Sequence, residues 1–170
     1  MATSPKPTTP KIEERQERRT AGIRLKAPIR DFKKVIPQTL GEIFGWAEEQ
    51  GVRRAGPPYM RLHVIDMEGQ MDIELGIPVA EPIQPNGKVA PGVLPAGRYA
   101  TLIYTGRDRG YSGNKALVDW AKKQGLEWDA WNDPAGHAFA SRYESFLTDP
   151  DEESDHKKWQ TEVSIKLADE

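Results

Sequence analysis

The chain has no cysteine, which removes disulfides, thiolate nucleophiles and thiolate metal sites together. No stretch approaches the roughly 20 consecutive apolar residues of a membrane-spanning helix. The first ten residues, rich in Thr, Ser, Pro and Lys, lack the apolar centre of a secretion signal. These absences predict a soluble, cytoplasmic chain that does not enter a membrane. Excess positive charge is missing too: 24 Lys and Arg against 26 Asp and Glu give a net charge of −2 and a pI near 6.0. Direct binding to nucleic acid, whose phosphates demand clustered basic residues, is therefore not expected. The three histidines, His63, His137 and His156, lie far apart with no pair at the i, i+4 spacing of a helical metal site. Neither a metal nor a cofactor is expected.

What the chain does have is an internal repeat. Trp46-Ala47-Glu48-Glu49-Gln50-Gly51-Val52 returns 74 residues later as Trp120-Ala121-Lys122-Lys123-Gln124-Gly125-Leu126. Upstream, Arg19, Ala21, Ile23 and Leu25 match Arg98, Ala100, Leu102 and Tyr104; downstream, the segment around Glu74 matches the one around Glu162. The spacing widens from 74 to 88 residues between the helix and the last strand, so the second half carries an insertion, over residues 127–138. Two long copies in 170 residues predict one pseudo-symmetric domain over residues 11–170, with half-units near 11–80 and 93–168. Residues 1–10 are expected to be a mobile tail, and 82–95 a linker.

Leu40, Ile43, Phe44 and Ala47 fall on one helical face, predicting a helix over 37–50 with Pro37 in its first turn and Gly51 at its stop. A second helix is expected from an N-cap at Ser112 to Gly125. Period-two patterning predicts strands over 12–27, 59–67, 71–79, 97–105, 138–147 and 159–167. Each half thus reads strand, helix, strand, strand. The fold class is α+β: an antiparallel sheet with two helices on one face, which leaves the other face needing cover or a ligand.

Residues 106–115 follow a strand and open a helix, as a phosphate loop would, but Lys115 does not follow a glycine and no Ser or Thr follows it. A plain turn is the better reading. In the insertion, Trp128 and Trp131 are either core that caps the open sheet face or walls of a pocket with Tyr59, Tyr104 and Phe146. Alternation in Arg142-Tyr143-Glu144-Ser145-Phe146 puts Glu144 and Phe146 on one face, a carboxylate beside an aromatic.

Taken in order, Leu94-Pro95-Ala96-Gly97-Arg98-Tyr99-Ala100, the helix with Trp120, Tyr143-Glu144-x-Phe146 running into Asp149-Pro150, and Trp159-x-Thr161-Glu162-Val163 resemble the gyrase-inhibitor-like (GyrI-like) small-molecule-binding domain. That domain is also the effector-binding part of AraC-type and multidrug-responsive regulators. With only a short tail ahead of Lys11, a stand-alone form is implied. The resemblance implies an aromatic cleft on the sheet face away from the helices, where Glu144 faces bound lipophilic cations. On this reading the chain binds lipophilic, often cationic aromatic molecules, with Tyr59, Tyr104, Trp128, Trp131 and Phe146 as walls. An alternative is a hydrolase that opens cyclopropane-containing genotoxic compounds, with Glu144 as general base and Tyr104 assisting. A further alternative is a protein-interaction module acting on a topoisomerase.

Overall fold

Ten strands and two helices are arranged in the computed structural model, which describes residues 5–169. In chain order they are β1 (Lys11–Arg15), β2 (Arg18–Ala27), α1 (Phe32–Gln50), β3 (Tyr59–Ile65), β4 (Met71–Pro78), β5 (Val89–Leu94), β6 (Gly97–Thr105), α2 (Gly110–Lys123), β7 (Ala130–Asp133), β8 (Gly136–Phe139), β9 (Arg142–Phe146) and β10 (Gln160–Lys166). The sheet is antiparallel, in the order β1-β6-β10-β9-β3-β4-β2-β5, and the β7–β8 hairpin joins it through β3. The expected α+β architecture is the observed one. The order reads alike from both ends: β6-β10-β9 mirrors β2-β4-β3, and the leading strand of each half pairs with the other half.

Only Gln16 and Glu17 separate β1 from β2, and three peptide steps span at most about 11 Å. The sheet therefore curls until its two ends meet at this point. The strand expected over 12–27 is one extended path bent there. The ends fold over the face away from the helices: Arg15 of β1 reaches Tyr143 of β9 at 2.8 Å, and Arg61 of β3 donates to the Val93 carbonyl of β5 at 2.8 Å. Inside this concave face Tyr143 makes edge contacts with Tyr59 and Tyr99, at 6.2 and 5.9 Å between ring centroids.

The helices cover the other face. Helix α1 lies on Ala21, Ile23, Ile77 and the Met60–Leu75 side chains, α2 on Ala100, Leu102, Tyr104, Val163 and Ile165. Helix α1 starts five residues before the expected position, with Pro37 inside it. The missing Pro37 N–H costs one bond, but Phe32, Val35 and Ile36 pack on the sheet and hold the early turns. Ser112 is not a cap; it lies inside α2, and its hydroxyl donates at 3.2 Å to the carbonyl of Arg109, the residue just ahead of the helix. Both helices stop as expected, at Gly51 and Gly125 in left-handed conformation with φ of 65° and 70°.

The expected linker contains a strand. β5 is an edge strand pairing β2, and Pro91 is tolerated there because an edge leaves one side of the backbone unpaired. The strand expected over 138–147 is broken at Ala140 and Ser141 into β8 and β9. Of the expected mobile tail, Met1–Ser4 fall outside the described residues, while Thr8 docks on β6. Its N–H donates to the Ile103 carbonyl and its hydroxyl accepts the Ile103 N–H, each at 2.9 Å.

Candidate functional site

Glu144 lies at the middle of the sheet, on β9, directly opposite Met60 of β3. Val163 and Leu102 continue its row across β10 and β6, and both pack toward α2. Its carboxylate therefore points into the seam between the sheet and the helices and is 7% exposed. The Tyr104 hydroxyl donates to Glu144 Oε1 at 2.6 Å, and Asn114 Nδ2 of α2 approaches Oε2 at 3.5 Å. Gly113 permits this arrangement: a Cβ there would stand 2.6 Å from the Tyr104 ring, so only glycine lets α2 settle onto the tyrosine. On the α1 side the half-buried Phe32, Val35, Ile36 and Phe146 pack on the cluster built around Met60. Lys33 and Asp108 span the two helical segments at the surface, 3.7 Å apart.

A rotation exchanging β3 and β9 about the Met60–Glu144 pair sends Tyr59 to Tyr143 and Met60 to Glu144. Outward, the row Met60–Leu75–Ile23 matches Glu144–Val163–Leu102. Leu25 then corresponds to Tyr104, and by the helix repeat Leu40 corresponds to Asn114. In the first half Leu25, Leu40 and Met60 pack together as one apolar cluster. The second half carries a tyrosine, an asparagine and a glutamate at the same three places, with the tyrosine and the asparagine both directed at the glutamate. A buried polar group is costly unless it is satisfied, and here the second half holds three polar side chains in contact where the first half packs three apolar ones.

The electrostatics are those of a dry site. Burial pushes the Glu144 carboxyl above its ordinary value, against the Tyr104 hydrogen bond, the Arg142 charge and Asn114, which all favour the anion. Burial likewise raises the Tyr104 phenol, helped by the neighbouring negative charge, so it stays a donor. Arg142 shares the Glu144 face two residues earlier and donates from Nη2 to Asn114 Oδ1 at 2.9 Å. Its guanidinium lies 4.8 Å over the centroid of the Phe139 ring. The arrangement can accept a hydrogen bond or a positive charge at Glu144, or take a proton there.

Of the residues expected at the site, the structure brings together Glu144, Tyr104 and Phe146. Tyr59 lies on the concave face, 1% exposed, with its hydroxyl bonded to Glu74. Trp128 bridges Leu167 and packs in the α2 core; Leu167 is four residues from Val163, roughly 13 Å along the strand. Trp131 alternates away from Ala130 and Phe139 and is 50% exposed. The concave face does hold a cleft of about 300 Å3, lined by Arg15, Arg18, Pro57, Ser145, Leu147 and Glu162 among others, but Glu144 is not in it. Asn114 and Arg142 were not anticipated. Asn114 had a signal, since it breaks the apolar stripe exactly where the repeat has Leu40, and Arg142 shares the alternation of Glu144 and Phe146.

The chain belongs to the GyrI-like small molecule binding domain family, whose match covers residues 8–168. Among solved structures it is similar to the EcmrR C-terminal domain, at TM-score 0.73 and 19% identity over 95% of this chain and 98% of that one. It spans 58% of the full-length EcmrR chain seen in a complex with DNA. A hydrolase from Listeria innocua superposes at TM-score 0.59 with 12% identity, over 94% of this chain and 91% of that one. SAV2435 bound to tetraphenylphosphonium superposes at TM-score 0.59 with 9% identity, over 95% and 94%. At these identities the likeness establishes the fold. A comparison of the sequence with curated proteins finds no match. No helix among the described residues is long and apolar enough to cross a membrane.

Proposed function

We propose that this chain binds lipophilic aromatic small molecules, cations among them, in the seam between the helices, with Glu144 facing the ligand's polar or charged group. The observation that carries this reading is the Tyr104–Asn114–Glu144 trio standing where the other half has Leu25, Leu40 and Met60. A carboxylate in a water-poor seam attracts a cation far more strongly than one at the surface, and half-buried apolar side chains beside it supply shape-tolerant contact. SAV2435, which shares the fold, is bound to tetraphenylphosphonium, a cation of the class proposed here. Titration with tetraphenylphosphonium tests the reading. Glu144→Gln is expected to weaken its affinity by about tenfold or more, equivalent to about 1.4 kcal/mol; an unchanged affinity would remove Glu144 from the site.

A second reading is hydrolysis of a strained, electrophilic ring. It is favoured by the upward displacement of Glu144, which makes it a better base. Glu144 takes a proton from water as the water oxygen bonds to a ring carbon. The electrons of the breaking C–C bond pass to a conjugated oxygen, which is then protonated. Tyr104 is placed to hold Glu144 for that step. Incubation with a cyclopropane-bearing alkylator followed by product analysis decides: a hydrated, ring-opened product lost with Glu144→Gln supports it, and unchanged compound at every protein concentration eliminates it for that substrate.

A further inference from the structure

The Glu144 seam already contains a cation. Arg142 projects from the same face of β9, its guanidinium rests on the Phe139 ring, and it shares the Asn114 side chain with Glu144: Arg142 Nη2 donates to Oδ1 at 2.9 Å, and Nδ2 approaches the carboxylate at 3.5 Å. An aromatic face on one side and a buried carboxylate nearby are the surroundings a lipophilic cation seeks. The position equivalent to Arg142 in the first half is Pro58, so the charge, like the polar trio, belongs to this half alone.

We propose that Arg142 is a tethered cation that competes with charged ligands for Glu144 and so sets the charge class the site accepts. This rests on the reading of the Glu144 seam as the ligand site. With Arg142 in place the seam is close to electroneutral, and a neutral lipophilic molecule enters without adding charge to a dry region. A monocation instead meets two unfavourable choices. It can share the seam with a like charge, or displace the guanidinium from Phe139 and Asn114 into solvent. Arg142 is long and half-buried, so displacement toward water is available to it. The charges answer each other in their titration as well: Arg142 stabilises the Glu144 anion, and Glu144 supports the Arg142 cation against burial.

The experiment compares tetraphenylphosphonium with triphenylphosphine oxide, a neutral molecule of similar aryl bulk, by calorimetric titration of the wild type, Arg142→Met, Arg142→Lys and Glu144→Gln. The readout is the ratio of cation affinity to neutral affinity. In the wild type it is expected within a few-fold of one. Arg142→Met is expected to raise it about tenfold or more, and Arg142→Lys, which keeps the charge, to leave it near the wild type. A wild-type ratio above about ten, or an Arg142→Met ratio equal to the wild type's, overturns the proposal. The wild-type ratio decides alone should Arg142→Met fail to fold. If neither compound binds, or Glu144→Gln changes neither affinity, the site reading falls and the role of Arg142 with it. If Glu144→Gln weakens the cation while the ratio ignores Arg142→Met, only the role of Arg142 falls.

Discussion

Met60 and Glu144 face each other across β3 and β9 and stand in equivalent places in the two halves of the molecule. One is a 5% exposed methionine in an apolar cluster; the other is a 7% exposed glutamate held by Tyr104. The backbone thus offers the same site twice, packed in one half and polar in the other. A buried charge network is seldom the most stable filling of such a space, because desolvation offsets most of the attraction within it. Its presence beside a working apolar version is what supports the proposed site in the second half.

Copying the first half into the second therefore should not harm the fold. The quadruple variant Tyr104→Leu, Asn114→Leu, Arg142→Met, Glu144→Met, which also removes the guanidinium that would lose both Asn114 and Glu144, is expected to match the wild type in stability or exceed it by about 1–4 kcal/mol, and to lose tetraphenylphosphonium binding. Tyr104→Leu alone leaves the buried carboxylate short of its closest donor and should cost about 1–3 kcal/mol. Urea denaturation of the three proteins checks this. A quadruple variant less stable than the single one would mean that the network is structural.

Two glutamates, one buried and one half-buried, should give stability opposite slopes with pH. Glu144 sits above its ordinary 4.5 because of burial, so between 4.5 and its folded value the native chain holds the extra proton and stability falls as pH rises. Glu74 is half-buried, and the His63 and Tyr59 hydrogen bonds carry it below 4.5 against the effect of that burial. Its contribution is complete above 4.5 and is lost as pH falls through its folded value. Urea midpoints from pH 3 to 8 should lose the upper slope in Glu144→Met and the lower slope in Glu74→Gln. Unchanged profiles would refute the assignment of each slope.

Much of this was legible in the residues. The repeat around Trp46 and Trp120 pointed to two similar halves, and the strand order reads alike from both ends; the alternation of Glu144 with Phe146 set the carboxylate and the ring on one face. Period-two patterning places side chains on one face or the other without saying which face the helices take, so the cleft was expected away from them, whereas Glu144 points toward them. The same ambiguity misplaced Tyr59: it repeats Tyr143, the neighbour of Glu144 that faces the other way. Trp128 is fixed by a bridge to Leu167, a long-range contact with no local signature. Pro37 was expected in the first turn of a helix and residues 82–95 as a linker; packing extends α1 ahead of Pro37, and β5 forms within the linker.

Glycine-to-alanine changes should have opposite signs in the two helices. Gly45 of α1 is exposed with nothing within 4 Å of an added Cβ, so Gly45→Ala is expected to stabilise by about 0.5–1 kcal/mol through helix propensity. Gly113→Ala gains the same propensity but drives its methyl into the Tyr104 ring at 2.6 Å, for a net cost of about 1–3 kcal/mol. It should also weaken ligand binding by moving the tyrosine off Glu144. Thermal melts of both variants test this. A stabilising Gly113→Ala would show that α2 does not rest on Tyr104 as described.

Tyr59 and Tyr104 each donate a hydrogen bond to a glutamate, half-buried Glu74 on the concave face and buried Glu144 beneath the helices. Removing one oxygen from each separates the two faces. Tyr59→Phe strips a donor from Glu74, so it should cost about 1–2 kcal/mol at neutral pH and raise the pH at which acid unfolds the chain. Its tetraphenylphosphonium affinity should stay with the wild type, because β3 turns this ring away from Met60 and Glu144. Tyr104→Phe should cost a similar amount but change ligand affinity several-fold, since the freed carboxylate oxygen faces the seam. Calorimetric titration combined with acid denaturation of the pair distinguishes them. A Tyr59→Phe variant that lost ligand while keeping its fold would move the site to the concave face, where the cleft beside Arg15, Arg18 and Ser145 would become the place to look.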